Sequence, residues 1–177
     1  MSELVFLGYC VKRTLTKPIA SVSECLSKRP DKWVERWDFN RATCWNTEAE
    51  AWACVPDVSK PEFGLFAYAV LPMLFDASGI EKPVTIDQLF SSYMPDLPRI
   101  RPDYQRIGYD VVERNAAMGM LGFGCSPLSC NGMAESVLVN EICLIDDLES
   151  AMAAARRFGV EQPEPGPYVI VEVLAKR

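Results

Sequence analysis

The chain has 177 residues, of which 49% are hydrophobic and 24% charged, and a formal net charge of −6. This balance is typical of a folded globular protein and argues against disorder, while the acidic charge argues against general affinity for nucleic acid. The chain has no histidine, which excludes Ser-His and Cys-His nucleophiles, histidine-bound zinc or iron, and imidazole proton transfer. An enzyme with this sequence must therefore use carboxylates, Lys, Arg, Tyr or an unassisted thiol.

The cysteine count and the amino terminus indicate the compartment. Seven cysteines make an odd number, and their spacings do not match a secreted disulfide framework. The amino terminus lacks the basic and apolar regions of a signal peptide, and no apolar run is long enough to span a membrane. We therefore expect a cytoplasmic protein in a reducing compartment, with no membrane contact.

A short signature near the amino terminus returns in the second half of the chain. Gly-Tyr-Cys-Val-Lys-Arg at 8–13 is matched by Gly-Tyr-Asp-Val-Val-Glu-Arg at 108–114. Further blocks follow in the same order in both halves, which favours two diverged copies of one unit over shared generic preferences. The further matches are 46–52 with 146–152 and, after a small slip, 65–71 with 168–174.

Each copy reads as a strand, a variable insert, a short strand, a capped helix and a strand. We therefore predict an α+β fold in which two pseudo-repeated strand–insert–helix–strand units form a mainly antiparallel sheet with helices packed outside. The predicted division is a first repeat at 1–76, a Pro-rich linker with a short helix at 77–104, and a second repeat at 105–177, within one compact domain.

Three local predictions concern the second copy. Residues 136–145 read as a strand, because apolar residues are frequent there. Asp146 is predicted to cap a helix at 148–158, and Gly159 is predicted to end that helix. The acidic residues at 146–149 are thus interpreted as helix capping rather than metal binding.

A basic and aromatic segment at 28–45 holds three of the four tryptophans. Exposed aromatic residues beside arginine are typical of interface hot spots and stacking platforms, although the same tryptophans could instead pack a helix onto the sheet. The candidate partner-binding residues are Arg29, Lys32, Trp33, Arg36, Trp37 and Arg41.

The loop at 125–132 concentrates cysteine, serine and turn-forming residues. A reactive or redox-active thiol at Cys125 or Cys130 is one interpretation, and a tight turn with buried thiols is the other, since no nearby base or positive charge activates them. Two cysteines four residues apart, without a second pair or a histidine, make a poor metal site. No glycine-rich phosphate loop follows a strand, so we predict neither a metal nor a cofactor.

The junction of two copies is a natural place for a pocket. Glu172 is a charge on an otherwise apolar final strand, where it lies either in a cleft or on the solvent face. The residues that would line such a cleft are Tyr9, Arg13, Tyr109, Arg114, Cys130 and Glu172.

Two resemblances accompany these patterns. The blocks at 8–9, 46–52, 126–132 and 164–168 resemble a family of bacterial proteins without assigned activity, which implies no mechanism. The segment at 45–68 is similar to the middle of ADP-ribosyltransferase-like folds. That likeness implies a nucleotide-binding enzyme in which Arg13 or Arg114, with Glu172, replaces the absent histidine.

The leading functional prediction is a bacterial cytoplasmic protein that binds another protein, such as a toxin or effector, as an inhibitor or immunity-type partner. The alternative is a small enzyme or nucleotide-binding protein whose cleft lies between the two copies.

Overall fold

The computed structural model describes residues 3–13, 44–53, 63–78, 80–90, 102–114, 123–124, 126–130, 136–161 and 166–176. In chain order the elements are β1 (Val5–Arg13), α1 (Glu48–Ala53), β2 (Phe63–Val70), β3 (Met73–Phe75), β4 (Glu81–Pro83), α2 (Ile86–Leu89), β5 (Gln105–Glu113), α3 (Pro127–Cys130), α4 (Leu148–Glu161) and β6 (Tyr168–Ala175).

The strands form one six-stranded sheet in which every pairing is antiparallel. Strand β6 is central, because β5 pairs along one of its edges while β2 and then β3 pair along the other. Its side chains are buried from Tyr168 to Leu174, as expected of a strand covered on both faces. The prediction of an α+β fold with a mainly antiparallel sheet is confirmed.

The two faces of β6 pack into different clusters. Tyr168 and Ile170 pack with buried residues of α4 on one face, here called the helix face. Val169, Val171 and Val173 pack on the other, here called the rear face.

Helix α4 covers its part of the helix face with an apolar stripe. Its buried residues Ala151, Ala154, Ala155 and Phe158 follow the spacing of one side of an α-helix. Burying Phe158 alone contributes about 1.5–3 kcal/mol of stabilisation. In the part of the chain that the structure covers, no helix is both long enough and apolar enough to cross a bilayer.

Glycine occupies an irregular position in both β1 and β5. Gly8 has a φ of 136° and Gly108 a φ of 149°, and the pairing register shifts just before each of them. A Cβ at Gly8 would lie 2.5 Å from the carbonyl oxygen of Trp45, and one at Gly108 would lie 2.6 Å from the Cβ of Leu144. Backbone conformation and space therefore both require glycine at these positions.

The residue after each glycine forms an isolated antiparallel bridge. The backbone N–H of Tyr9 donates to Trp45 over 2.8 Å, and the N–H of Trp45 donates back over 2.8 Å. Tyr109 and Ile145 exchange the same pair of bonds, at 2.7 and 2.9 Å. A helix, α1 or α4, begins shortly after each bridge.

The pairing of β2 with β6 at the centre of the sheet gives a correspondence between the two halves that differs slightly from the sequence alignment. Gly8 lies opposite Tyr68, Gly108 lies opposite Val173, and Tyr68 lies opposite Val173. These pairings relate Tyr68 to Val173, whereas the sequence alignment of 65–71 with 168–174 relates it to Val171. The difference of two residues keeps the same face of the sheet.

The helix caps correct one detail of the sequence prediction. Thr47 and Glu50 form a reciprocal capping box on α1, with bonds of 2.9 and 3.2 Å. On α4 the capping carboxylate belongs to Asp147, which accepts from the Ser150 N–H over 2.8 Å. Asp146, the predicted cap, instead accepts from the Asn140 side chain over 2.9 Å.

The predicted end of α4 at Gly159 is also wrong, because the helix continues to Glu161. Gly159 is buried, and a Cβ there would collide with the backbone carbonyl of Asp76. The glycine permits close packing against the chain after β3 rather than terminating the helix.

The predicted strand at 136–145 is replaced by turns, with an isolated bridge at Ile145. The side-chain oxygen of Asn140 accepts from the N–H groups of Ile142 and Leu144, each over 3.1 Å. The Asn140 side chain thus satisfies backbone N–H groups that a strand would pair with a neighbouring strand. The apolar pattern of 136–145 does not reveal this alternative.

The glycine requirement is testable by substitution. We expect Gly8→Ala and Gly108→Ala each to lower the free energy of unfolding by about 1–3 kcal/mol, because both force an L-residue into a conformation that only glycine readily adopts. Urea denaturation of the two variants measures this. Lys82→Ala, at an exposed position on β4, is the control and should change stability by less than about 0.5 kcal/mol. Equal stability of the wild type and the glycine variants would contradict this interpretation.

Candidate functional site

The predicted cleft residues do not all come together. Tyr109 lies directly opposite Glu172 in the β5–β6 register, so both are on the helix face, and Tyr9 belongs to a cluster on the same face. Glu172 is only 3% exposed, which excludes the solvent-face interpretation.

Arg114 lies apart from these residues. Its Nε donates to the carbonyl oxygen of Leu89, and its guanidinium lies 5.8 Å from the centre of the Phe90 ring, among residues of the rear face. Burial lowers the pKa of this guanidinium. Arg13 is the last residue of β1 and Cys130 is the last residue of α3, and their side chains are not among those that the structure describes.

The predicted partner-binding residues lie outside the described residues. They are Arg29, Lys32, Trp33, Arg36, Trp37 and Arg41. Trp45, the last tryptophan of that basic and aromatic segment, is described and is partly exposed.

Trp45 belongs to a surface of three partly exposed aromatic residues, here called the aromatic surface: Tyr9, Trp45 and Tyr104. Tyr9 and Trp45 face each other across their bridge, so their side chains are neighbours on one face. The rings of Tyr9 and Tyr104 meet edge to face, with centres 5.8 Å apart. Phe6 supports Tyr9 from the core side in the same geometry, at 5.5 Å.

Two charged residues border the aromatic surface. The hydroxyl of Tyr104 donates to Glu48 Oε1 over 2.5 Å, and Lys176 Nζ lies 3.0 Å from Glu48 Oε2. The ammonium of Lys176 also lies 6.0 Å from the centre of the Tyr104 ring. Helix α1 thus presents its first residue, Glu48, to the aromatic surface.

These contacts shift three pKa values. The hydrogen bond from Tyr104, and then that from Lys176, lower the pKa of Glu48. Burial, and then the neighbouring carboxylate of Glu48, raise the pKa values of Tyr9 and Tyr104. The border therefore presents an ionised carboxylate beside two protonated phenols at neutral pH.

The corresponding position at the Tyr109–Ile145 bridge is closed. Tyr109 and Ile145 are 2% and 1% exposed, and both pack in the cluster that includes α4. Helix α4 has 14 residues, whereas α1 has 6. The short first helix thus accompanies an open aromatic surface where the long helix accompanies a buried one.

A buried polar pair lies on β5 and the loop before α3. The hydroxyl of Ser126 donates to Asp110 Oδ1 over 2.6 Å and accepts from the Leu128 N–H over 3.2 Å. Asp110 and Ser126 are fully buried, so the pair fixes the start of α3 against the sheet. The sequence offered one signal for it, since Asp110 is a charge within the otherwise apolar run 107–112 and aligns with Cys10 in the repeated signature.

The acidic residues near α4 have structural partners. Asp147 accepts from the N–H and the hydroxyl of Ser150, and these bonds lower its pKa. Within the described ranges, no group of three or more Cys, Asp or Glu side chains is placed to hold a metal ion. Cys125 lies outside the description, so its predicted role is not tested.

No family model, curated protein or solved structure matches the chain. The two resemblances drawn from sequence blocks receive no support from these comparisons. The assignment of function consequently depends on the geometry of the aromatic surface.

The Tyr104–Glu48 hydrogen bond gives a pH-dependent prediction. Because the folded-state pKa of Glu48 is lowered, its contribution to stability is present above the ordinary glutamate pKa and is lost as the pH falls through the folded-state value. We expect Tyr104→Phe to raise the pKa of Glu48 in an NMR titration of its carboxyl group and to reduce this acid-dependent loss of stability. Tyr9→Phe is the control, because it keeps the Tyr104–Glu48 hydrogen bond and should keep the effect of that bond on the pKa of Glu48. An unchanged Glu48 pKa in Tyr104→Phe would refute the assignment.

Proposed function

We propose that this protein binds another protein through a surface centred on Tyr9, Trp45 and Tyr104. The observation that carries the proposal is that these three aromatic side chains are partly exposed together. Tyrosine and tryptophan are enriched at interface hot spots, where a polar or charged border surrounds the apolar centre. Glu48 and Lys176 supply such a border.

The place of the basic and aromatic segment in the chain supports the same proposal. Residues 14–43 connect Arg13, at the end of β1, to Cys44, which precedes the bridge residue Trp45. The candidate residues Arg29 to Arg41 belong to this connection. We propose that one partner contacts both the segment and the aromatic surface.

The proposed partner is a toxin or effector, held by an inhibitor or immunity-type protein in the bacterial cytoplasm. The net charge of −6 favours a basic partner at long range, whereas the basic segment at 28–45 favours an acidic patch on that partner where the two meet. Such a function needs a stable rigid surface and no catalytic group.

We also infer that the two halves descend from one duplicated unit, and that two residues of the binding surface, Tyr9 and Trp45, belong to the first copy. Matching residues at corresponding positions support this inference, as does the pairing of Tyr68 with Val173 at the centre of the sheet. The matching pairs are Gly8 and Gly108, Tyr9 and Tyr109, Trp45 and Ile145, Thr47 and Asp147, and Ala51 and Ala151. A crystal structure in which no rotation superposes the two hairpins would contradict the duplication.

Ligand binding near Tyr109 and Glu172 is the second candidate function. Tyr109 and Glu172 are buried neighbours, and the guanidinium of Arg106 lies 5.3 Å from the Tyr109 ring while donating to its hydroxyl over 3.1 Å. An aromatic ring, a carboxylate and a guanidinium are groups that contact a nucleotide, and a nucleotide would reach Tyr109 and Glu172 once the packing over them opens. This observation favours the alternative of a nucleotide-binding protein or small enzyme.

Protein binding is tested by affinity capture with the full chain, identification of the captured protein, and measurement of its Kd. We expect Trp45→Ala and Tyr104→Ala each to weaken binding by about 2 kcal/mol or more, roughly 30-fold in Kd, because both remove a hot-spot side chain. Circular dichroism establishes that each variant is folded.

Leu138→Ala is the matched control, since Leu138 is an apolar residue that is 90% exposed and lies outside the aromatic surface. It should keep Kd within about threefold of the wild type. A combined Trp33→Ala and Arg36→Ala variant tests the basic segment separately. Equal Kd values for the wild type and the Trp45 and Tyr104 variants would refute the proposed surface.

Nucleotide binding is tested by thermal denaturation of the wild type with a panel of nucleotides. A bound nucleotide at about 100 times its Kd should raise the melting temperature by roughly 5–10 °C. Tyr109→Ala should remove the shift and Tyr9→Ala should keep it. A melting temperature that no nucleotide changes would argue against this second function.

A further inference from the structure

Cys10 and Cys44 lie on either side of the Tyr9–Trp45 bridge. Cys10 follows Tyr9 on β1, and Cys44 precedes Trp45 on the paired segment. In an antiparallel arrangement the residue after one bridge partner faces the residue before the other. The bridge therefore sets the two cysteines across from each other.

The hydrogen bonds define the kind of position they occupy. Tyr9 and Trp45 exchange both of their backbone bonds, so the adjacent pair is a non-hydrogen-bonded pair. Cα atoms in such pairs are typically about 4.5 Å apart, at the short end of the range of about 4.4–6.8 Å that disulfides span.

The contacts of both residues agree with this placement. Cys10 and Cys44 belong to the same cluster on the rear face, where burial, and then Cys10 and Cys44, raise the pKa of the Tyr68 hydroxyl. The Cβ of Cys44 lies 3.0 Å from where a Cβ would stand on Gly8, so it rests against β1 itself. Both cysteines carry thiols in the structure.

We propose that Cys10 and Cys44 form a reversible disulfide site that hydrogen peroxide oxidises. The small exposure of the two residues, 6% and 8%, favours a small oxidant over a bulky one such as oxidised glutathione. The site is independent of the proposed binding function, because it depends only on the bridge.

The reaction balances in two steps. The first cysteine ionises, its thiolate attacks a peroxide oxygen, the O–O bond breaks, and a sulfenic acid forms. The released hydroxide takes up the proton that this thiol lost on ionisation and leaves as water, while the second thiol keeps its proton. The sulfur of the second cysteine then attacks the sulfenic sulfur, the S–S bond forms, and the S–O bond breaks with loss of a second water. Two thiols are oxidised by two electrons, and one peroxide is reduced to two waters.

The test is peptide mapping of the full chain after treatment with hydrogen peroxide and alkylation of the remaining thiols. We expect a crosslinked peptide that joins Cys10 to Cys44, lighter than the two separate peptides by two hydrogen atoms and absent after reduction with dithiothreitol. The wild type alone gives this result, so the test does not depend on a variant that could misfold.

Variants define the specificity of the crosslink. Cys10→Ser and Cys44→Ser should each abolish it, whereas Cys143→Ser should keep it, because Cys143 lies in the turn before Ile145 and not at the bridge. Treatment with oxidised glutathione should give at least a tenfold lower yield in the same time. Overoxidation of Cys10 without a crosslink, or a crosslink from Cys10 to any other cysteine, would overturn the proposal.

Discussion

Close backbone approach at two glycines is the constraint on which the rest of the structure depends. At Gly8 and Gly108 the paired chain passes so near the strand that a side chain has no space. The following tyrosine then forms a two-bond bridge, and the chain leaves the bridge into a capped helix. One tight contact thus decides where each helix starts and which face of the sheet it covers.

The same contact accompanies different surfaces in the two halves. Helix α4 has room for a full apolar stripe, and the side chains beneath it are buried. The described part of α1 spans 6 residues, and the aromatic residues next to it are partly exposed. Partial exposure of Tyr9 and Trp45 thus accompanies the shorter of the two described helices.

The sequence predicted the features that depend on local periodicity. The sequence indicated β1, α1 and β2 in the first half, and β5, α4 and β6 in the second, by the order of strand, capped helix and strand. It could not predict the end of α4, because a glycine that stops a helix and a glycine that lets a neighbouring chain approach look alike in sequence. Only the position of the Asp76 carbonyl distinguishes them.

The candidate surface was only partly predictable for a related reason. Tyr9 was named as a site residue, but Tyr104 and Lys176 lie far from it in the chain, and Glu48 looks like an ordinary first-turn acid. The sheet brings these residues together through pairings between distant strands. Arg114 belongs to the same repeated signature as Tyr109, yet it contacts the rear face. The two residues are five positions apart, and side chains alternate between the two faces along a strand, so they lie on opposite faces.

The contact of Gly159 with Asp76 sets the spacing between α4 and the short β3–β4 hairpin. The ion pair of Arg156 with Glu81 joins the same two elements at their outer edge. Contact with the β3–β4 hairpin therefore limits how closely the carboxyl-terminal end of α4 packs on the sheet. A change at the contact between Asp76 and Gly159 would reach the interior as a tilt of the helix, with Phe158 as the first side chain to lose its packing.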